Sequence, residues 1–291
     1  MKLTLGFSPC PNDTFIFDAL IHHKIDTEGL AFEVAYHDVE TLNQMAFRGE
    51  LAITKLSYHA FAFAVEDYEI LDAGSALGFG VGPLLLSKNK ELADKLSSFA
   101  GGSLPEEFKN LKIGIPGKYT TANFLLGLAY PDMQNKEILL FSDIETALLN
   151  GDIDLGLIIH ENRFTYQEKG LFKVIDLGDY WEKTTESPIP LGGIVISRDL
   201  PQEVKEKVNR LIRKSVEYAF ENPKSGLQYI RSHAQEMEEA VMYKHIELYV
   251  NDYSIDLGVQ GRKAIRDMFT RAQQLSIVPK TEKNIFLIGN D

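Results

Sequence analysis

The sequence is short of cysteine, of positive charge and of long apolar runs, and each shortage removes a class of function. Cys10 is its single cysteine, which excludes an intrachain disulfide and any metal site built from several cysteines. Asp and Glu outnumber Lys and Arg by 42 to 30, for a formal net charge of −12. That mean field repels phosphate backbones and anionic headgroups, so neither nucleic acid nor a membrane surface is an expected partner. A small anion held by local donors remains compatible with it. No uncharged run reaches the roughly eighteen apolar residues of a membrane span. The start, Met1 to Asp13, turns polar and proline-rich before an apolar stretch of signal-peptide length accumulates. A cytoplasmic location is the expectation, and a homodimer is compatible with the sequence.

What is present is a duplicated pattern. The stretch from Thr41 to Ser57 aligns with that from Glu145 to Ile159, Gly49 falling on Gly151, and each copy reads as helix, Gly-acid turn and buried strand. Upstream, Lys2 to Pro9 matches Leu111 to Gly117, and both lead into an apolar helical run. At 291 residues, with 44% hydrophobic and 25% charged residues, the chain has length for two ordinary domains. Strand and helix alternate, which indicates an α/β fold with mixed, mostly parallel sheets and helices on both faces. Two related lobes are expected, with a ligand cleft between them. The boundaries place 1–88 and 198–291 in lobe 1, which is discontinuous with a C-terminal helical cap, and 89–197 in lobe 2. Val81 to Ser87 reads as a strand leading out of lobe 1 and Leu191 to Ser197 as the return crossing, with hinges near Leu84 to Ser87 and Leu191 to Ile194.

Ligands of open parallel sheets bind beyond the C-terminal strand ends, where free backbone N–H groups of the following helices favour anions. Four such ends carry polar residues. The first holds Ser8 and Asn12, in a loop read as Pro9 to Asp13 before a helix from Thr14 to His23. The second holds Lys55, Leu56 and Ser57; an ammonium on a strand that faces a core must reach solvent, a carboxylate or an anionic ligand, because burying it alone is costly. The third is Gly117-Lys-Tyr-Thr-Thr-Ala-Asn123, which is not a phosphate loop of the Walker type. Thr120 and Thr121 there suit a carboxylate or a sugar hydroxyl, or serve as a helix cap. The fourth runs from His160 to Arg163 and opens on His160, an imidazole at the end of an apolar strand and the side chain whose ordinary pKa suits acid/base work near neutrality. The histidines are dispersed, so no metal site is expected. Cys10 lacks a local histidine partner and reads as a packed residue.

Several of these segments together resemble one enzyme family: Ser8-Pro-Cys-Pro-Asn-Asp-Thr-Phe15, Thr54-Lys-Leu-Ser57, Gly117-Lys-Tyr-Thr-Thr-Ala122, Gly156-Leu-Ile-Ile-His-Glu161 and Pro190-Leu-Gly192. They are similar to the 1,4-dihydroxy-6-naphthoate synthases of the futalosine route to menaquinone. The resemblance covers residues 1 to about 200 through these motifs, and the helical tail agrees in length and character. It implies a two-lobed fold like that of the type II periplasmic binding proteins. It also implies a carbon–carbon lyase acting on cyclic dehypoxanthinyl futalosine, a small anionic substrate, without cofactor or metal. Carried onto this chain, the family's proton acceptor falls on His160 and its substrate contacts on Lys55, Leu56, Ser57, Thr121 and Ala122. Two other readings share the fold: a chorismate dehydratase of the same pathway, and a solute-binding protein that captures a small anion without chemistry.

Overall fold

A computed structural model describes residues 1–234 and 238–287, with Glu161 described by its backbone alone. Among the described residues eleven strands follow in chain order: β1 Lys2–Phe7, β2 Ala31–Tyr36, β3 Ile53–Ser57, β4 Tyr68–Ile70, β5 Ala76–Gly78, β6 Leu84–Ser87, β7 Ile113–Ile115, β8 Lys136–Ile138, β9 Leu155–Ile158, β10 Phe172–Asp176 and β11 Ile189–Ser197. They form two sheets, ordered β2-β1-β3-β11-β4 with β5 on β11, and β10-β6-β9-β7-β8. The chain divides into two units, Met1–Gly78 with Pro190–Asp291, and Phe79–Ile189.

The duplication seen in the sequence is a duplication of sheet topology. β1 runs parallel to β2 and β3, pairing Leu5 with Ile53. β7 runs parallel to β8 and β9, pairing Ile113 with Leu155. The helix before β3 is Val39–Phe47 and that before β9 is Ile144–Asn150. Each is followed by a glycine with positive φ, +67° at Gly49 and +82° at Gly151, a conformation that costs a glycine nothing and another residue a Cβ clash. Both sheets are mixed, because each takes one antiparallel strand beside its third parallel strand: β11 beside β3, and β6 beside β9.

That last feature moves the boundaries read from sequence. β6 is hydrogen-bonded to β9 and β10, so it belongs to the second sheet instead of leading out of the first, and the units part at Gly78/Phe79 and Ile189/Pro190 rather than at 88/89 and 197/198. The stretches expected as hinges, Leu84 to Ser87 and Leu191 to Ile194, lie within β6 and β11, whose backbones are tied into ladders. A laddered strand does not absorb the large dihedral changes a hinge requires.

The core of the first unit joins Leu5, Phe7, Phe17, Ile194, Ile212 and Met242 from the sheet and the helices around it. The long helix Gln202–Glu221 lies along Pro11–Ile21, where Ser215 Oγ donates to the Ile16 carbonyl at 2.6 Å and accepts from the Leu20 N–H at 3.1 Å. In Gly258–Gln274 the face of Ala264, Ile265, Met268, Phe269 and Ala272 is buried. Leu275 lies past the last turn and is exposed. The second unit has its own core of Leu84, Leu86, Ile144, Leu148, Ile153 and Ile158.

Candidate functional site

Two clusters of polar groups sit at strand ends, one in each unit. In the first, the helix after β1 starts three residues earlier than the sequence suggested, at Pro11. Proline is tolerated at a first helical position because the N–H it lacks has no partner there in any case. Asn12 and Asp13 therefore lie in the first helical turn, where the helix dipole favours a negative charge. Asp13, a loop residue by sequence and part of the same polar strand end as Ser8 and Asn12, is the hub of the cluster. Its carboxylate accepts from Ser8 Oγ at 3.0 Å, Asn12 Nδ2 at 2.9 Å and Lys55 Nζ at 2.8 Å.

The carboxylate demanded by a buried lysine is thus supplied from within the protein. Lys55 and Asp13 form an ion pair whose side chains are 9% and 2% exposed. Lys55 also donates to the Gly74 carbonyl at 3.3 Å. Its neighbours Leu56 and Ser57 are buried on β3, and the Ser57 N–H donates to the buried Asn43 side chain. Ser8 and Asn12, expected to face a ligand, turn their side chains to Asp13 instead. Beside them, burial pushes the Tyr58 hydroxyl well above the ordinary tyrosine range, so it stays protonated while bonded to Ser75 Oγ at 2.7 Å.

In the second unit, the turn before the helix Thr121–Ala129 is capped by Thr120, whose hydroxyl donates to the Gly117 carbonyl at 2.9 Å and accepts from the Asn123 N–H at 3.2 Å. Thr120 is committed to the helix start, while Thr121 and Ala122 are buried in its first turn. His160 follows β9 by two residues and opens a short 3₁₀ segment, His160–Phe164. Its backbone is left-handed, φ +61°. A side chain tolerates that region at a cost on the order of 1–3 kcal/mol, and such residues cluster at functional sites. Its Nε2 is buried, and the rings of Phe141 and His160 meet edge to face with centroids 4.9 Å apart.

The segment after His160 is clamped on two sides. Asn162 Nδ2 donates to Glu145 Oε2 at 2.6 Å, and Lys169 pairs with the same buried oxygen. Arg163 donates to the Gly82 carbonyl at 2.7 Å and to Asp176 Oδ2 at 2.9 Å, while Asp176 Oδ1 caps the helix Leu177–Thr185. Arg163 closes the polar strand end read from the sequence, but Phe141, Glu145 and Asp176 are not legible there as part of the site; of these Glu145 alone carries a signal, as an acid in the first turn of the duplicated helix. Replacing Arg163 with alanine removes both anchors at once. The expected losses are about 2 kcal/mol in stability and between about 10-fold and 100-fold in turnover as His160 loses its placement. Thermal melting and steady-state kinetics read the two, and unchanged turnover would show that the clamp does not serve His160. Among the described residues no group of three or more His, Cys, Asp or Glu is arranged to hold a metal ion.

A family model described as menaquinone biosynthesis matches residues 3–274. The chain belongs to this menaquinone-biosynthesis family. Its similarity to individual members runs nearly end to end. It is 40% identical over 285 residues to the 1,4-dihydroxy-6-naphtoate synthase of Thermus thermophilus, covering 98% of this chain and 99% of that protein. To the protein of the same name from Streptomyces coelicolor it is 38% identical over 282 residues, 95% of each. A solved protein of Archaeoglobus fulgidus superposes with a TM-score of 0.86 at 34% identity, covering 95% of this chain and 98% of the other. The alkanesulfonate-binding protein of Xanthomonas axonopodis, at 13% identity and a TM-score of 0.68 over 96% of this chain and 94% of its own, shares the fold alone. This family thus uses a periplasmic-binding-protein-like fold for an enzyme of menaquinone biosynthesis.

Proposed function

We propose that the chain is a carbon–carbon lyase that converts cyclic dehypoxanthinyl futalosine to 1,4-dihydroxy-6-naphthoate, working in the cytoplasm as befits a biosynthetic enzyme. The observation that carries this reading is the nearly full-length similarity to two relatives of that name. His160 acts as the general base. It removes a proton from a sugar hydroxyl of the substrate; the resulting alkoxide becomes a carbonyl as the adjacent carbon–carbon bond breaks, and the electron pair of that bond stays with the bicyclic fragment, which takes up a proton in turn. Loss of the sugar-derived fragment then lets the bicyclic remainder aromatise, which makes release downhill. Positioned proton transfer of this kind is worth about 10² to 10⁴ in rate. The left-handed backbone, the Phe141 ring and the two clamps around His160 support this role, because a base must be held within hydrogen-bond reach of its proton.

Lys55, Leu56, Ser57, Thr121 and Ala122 are the substrate contacts in this reading. Thr120 contributes by ordering the turn, and Ser8 and Asn12 by ordering Asp13. Anaerobic incubation with cyclic dehypoxanthinyl futalosine, followed by chromatography with absorbance detection, is expected to yield 1,4-dihydroxy-6-naphthoate. Consumption of chorismate without any such product would replace this reading with the dehydratase. Tight capture of a small anion with neither reaction would make the protein a binding module.

A further inference from the structure

An ammonium buried on a sheet strand is ordinarily read as a receptor for an anionic ligand. The surroundings of Lys55 argue otherwise. Its charge is already matched, at 2.8 Å, by a carboxylate that is 2% exposed. Asp13 Oδ1 takes the Lys55 and Asn12 donors and Oδ2 takes Ser8, so both of its oxygens are engaged as acceptors.

The network extends to the helix Glu239–Tyr249. Asn12 turns its amide nitrogen to Asp13, so its oxygen faces Nε2 of the buried His245 at 2.9 Å. An amide oxygen accepts only, and His245 therefore carries its proton on Nε2. Every donor in the chain from His245 through Asn12 to Asp13 points towards the carboxylate, which holds Asp13 in a single rotamer beneath Lys55. An ammonium has three hydrogens. Among the described residues, Asp13 and the Gly74 carbonyl take two of them.

We infer that Asp13 is a positioning residue, which aims the third hydrogen of Lys55 at an uncharged oxygen of the substrate, a hydroxyl or a ketone, and not at its carboxylate. A ligand carboxylate on that hydrogen would share one ammonium with Asp13 in a dry environment, two like charges on one counter-ion, and that arrangement is disfavoured. An uncharged oxygen accepts the same bond while leaving the pair neutral. The inference rests on the reading of Lys55 as a substrate contact, and gives that contact its chemical class.

Dissociation constants measured by calorimetry in a His160→Ala background, which binds without turnover, test it. The probes are cyclic dehypoxanthinyl futalosine and its carboxamide analogue. Lys55→Met is expected to weaken both by about tenfold, the loss of one hydrogen bond. Adding Asp13→Asn to Lys55→Met is expected to change neither constant further, because Asp13 acts through the lysine. That double variant removes both charges together, so the comparison survives even where Asp13→Asn alone, with its uncompensated ammonium, folds poorly. Weakening confined to the carboxylate probe would overturn the assignment, and so would a double variant weaker than Lys55→Met. Crystals of Asp13→Asn give an answer that needs no substrate. Nζ displaced from its place beside Gly74 supports the positioning role, and Nζ unmoved refutes it, whereas failure of the parent to bind either probe would count against the proposed reaction instead.

Discussion

Replacing His160 with alanine is expected to lower kcat on cyclic dehypoxanthinyl futalosine by about 10² to 10⁴ while leaving substrate affinity within a small factor of wild type. As the proposed general base the imidazole acts only as the proton leaves, so its loss should appear in the chemical step and not in binding. Burst and single-turnover measurements separate the two. His160→Asn is the informative companion. Asparagine tolerates the left-handed backbone at φ +61° about as well as histidine, so it preserves the turn while removing the base. Both variants should therefore be equally inactive although the asparagine variant melts higher. An asparagine variant with wild-type turnover would mean that the conformation at 160 matters and the imidazole does not.

Gly178→Ala is expected to be the most damaging single methyl in the second unit. A Cβ at Gly178 would lie 1.8 Å from the Val81 carbonyl oxygen and 2.9 Å from its carbon. Both are backbone atoms, so no side chain can swing aside, and the strand approach or the helix Leu177–Thr185 must move. Overpacking of this kind costs about 3 kcal/mol, read as a fall in melting temperature on the order of 5–10 °C. The disturbance reaches His160 by a short route, because Gly82, next to Val81, supplies the carbonyl that anchors Arg163. Turnover should fall along with stability. Gly127→Ala supplies the contrast: it lies inside the helix Thr121–Ala129 with nothing within 4 Å of the added carbon, and the better helix former is expected to be neutral or to stabilise by up to about 1 kcal/mol. Equal melting temperatures for the two variants would contradict the close approach at Gly178.

Lys55 and Asp13 mark where the reading of the chain stops and the fold takes over. The duplication is legible in the chain alone, since a helix, a glycine of left-handed conformation and a buried strand each leave a local signature, and these recur at Gly49 and Gly151. The sequence also placed His160 at the end of an apolar strand and required a partner for Lys55, because a lone buried ammonium is too costly to keep. It left open which partner that is. Asp13 read as a loop residue, as nothing local distinguishes a proline that opens a helix from one that precedes it. Only the packing of β1 on β3 brings two residues so far apart in sequence to within 2.8 Å. The same holds for the membership of β6 and β11 in their sheets, for Phe141 against His160, and for the clamp of Arg163 on Gly82 and Asp176. Periodicity is a property of neighbours along the chain, whereas charge pairs, ring contacts and strand order belong to neighbours in space.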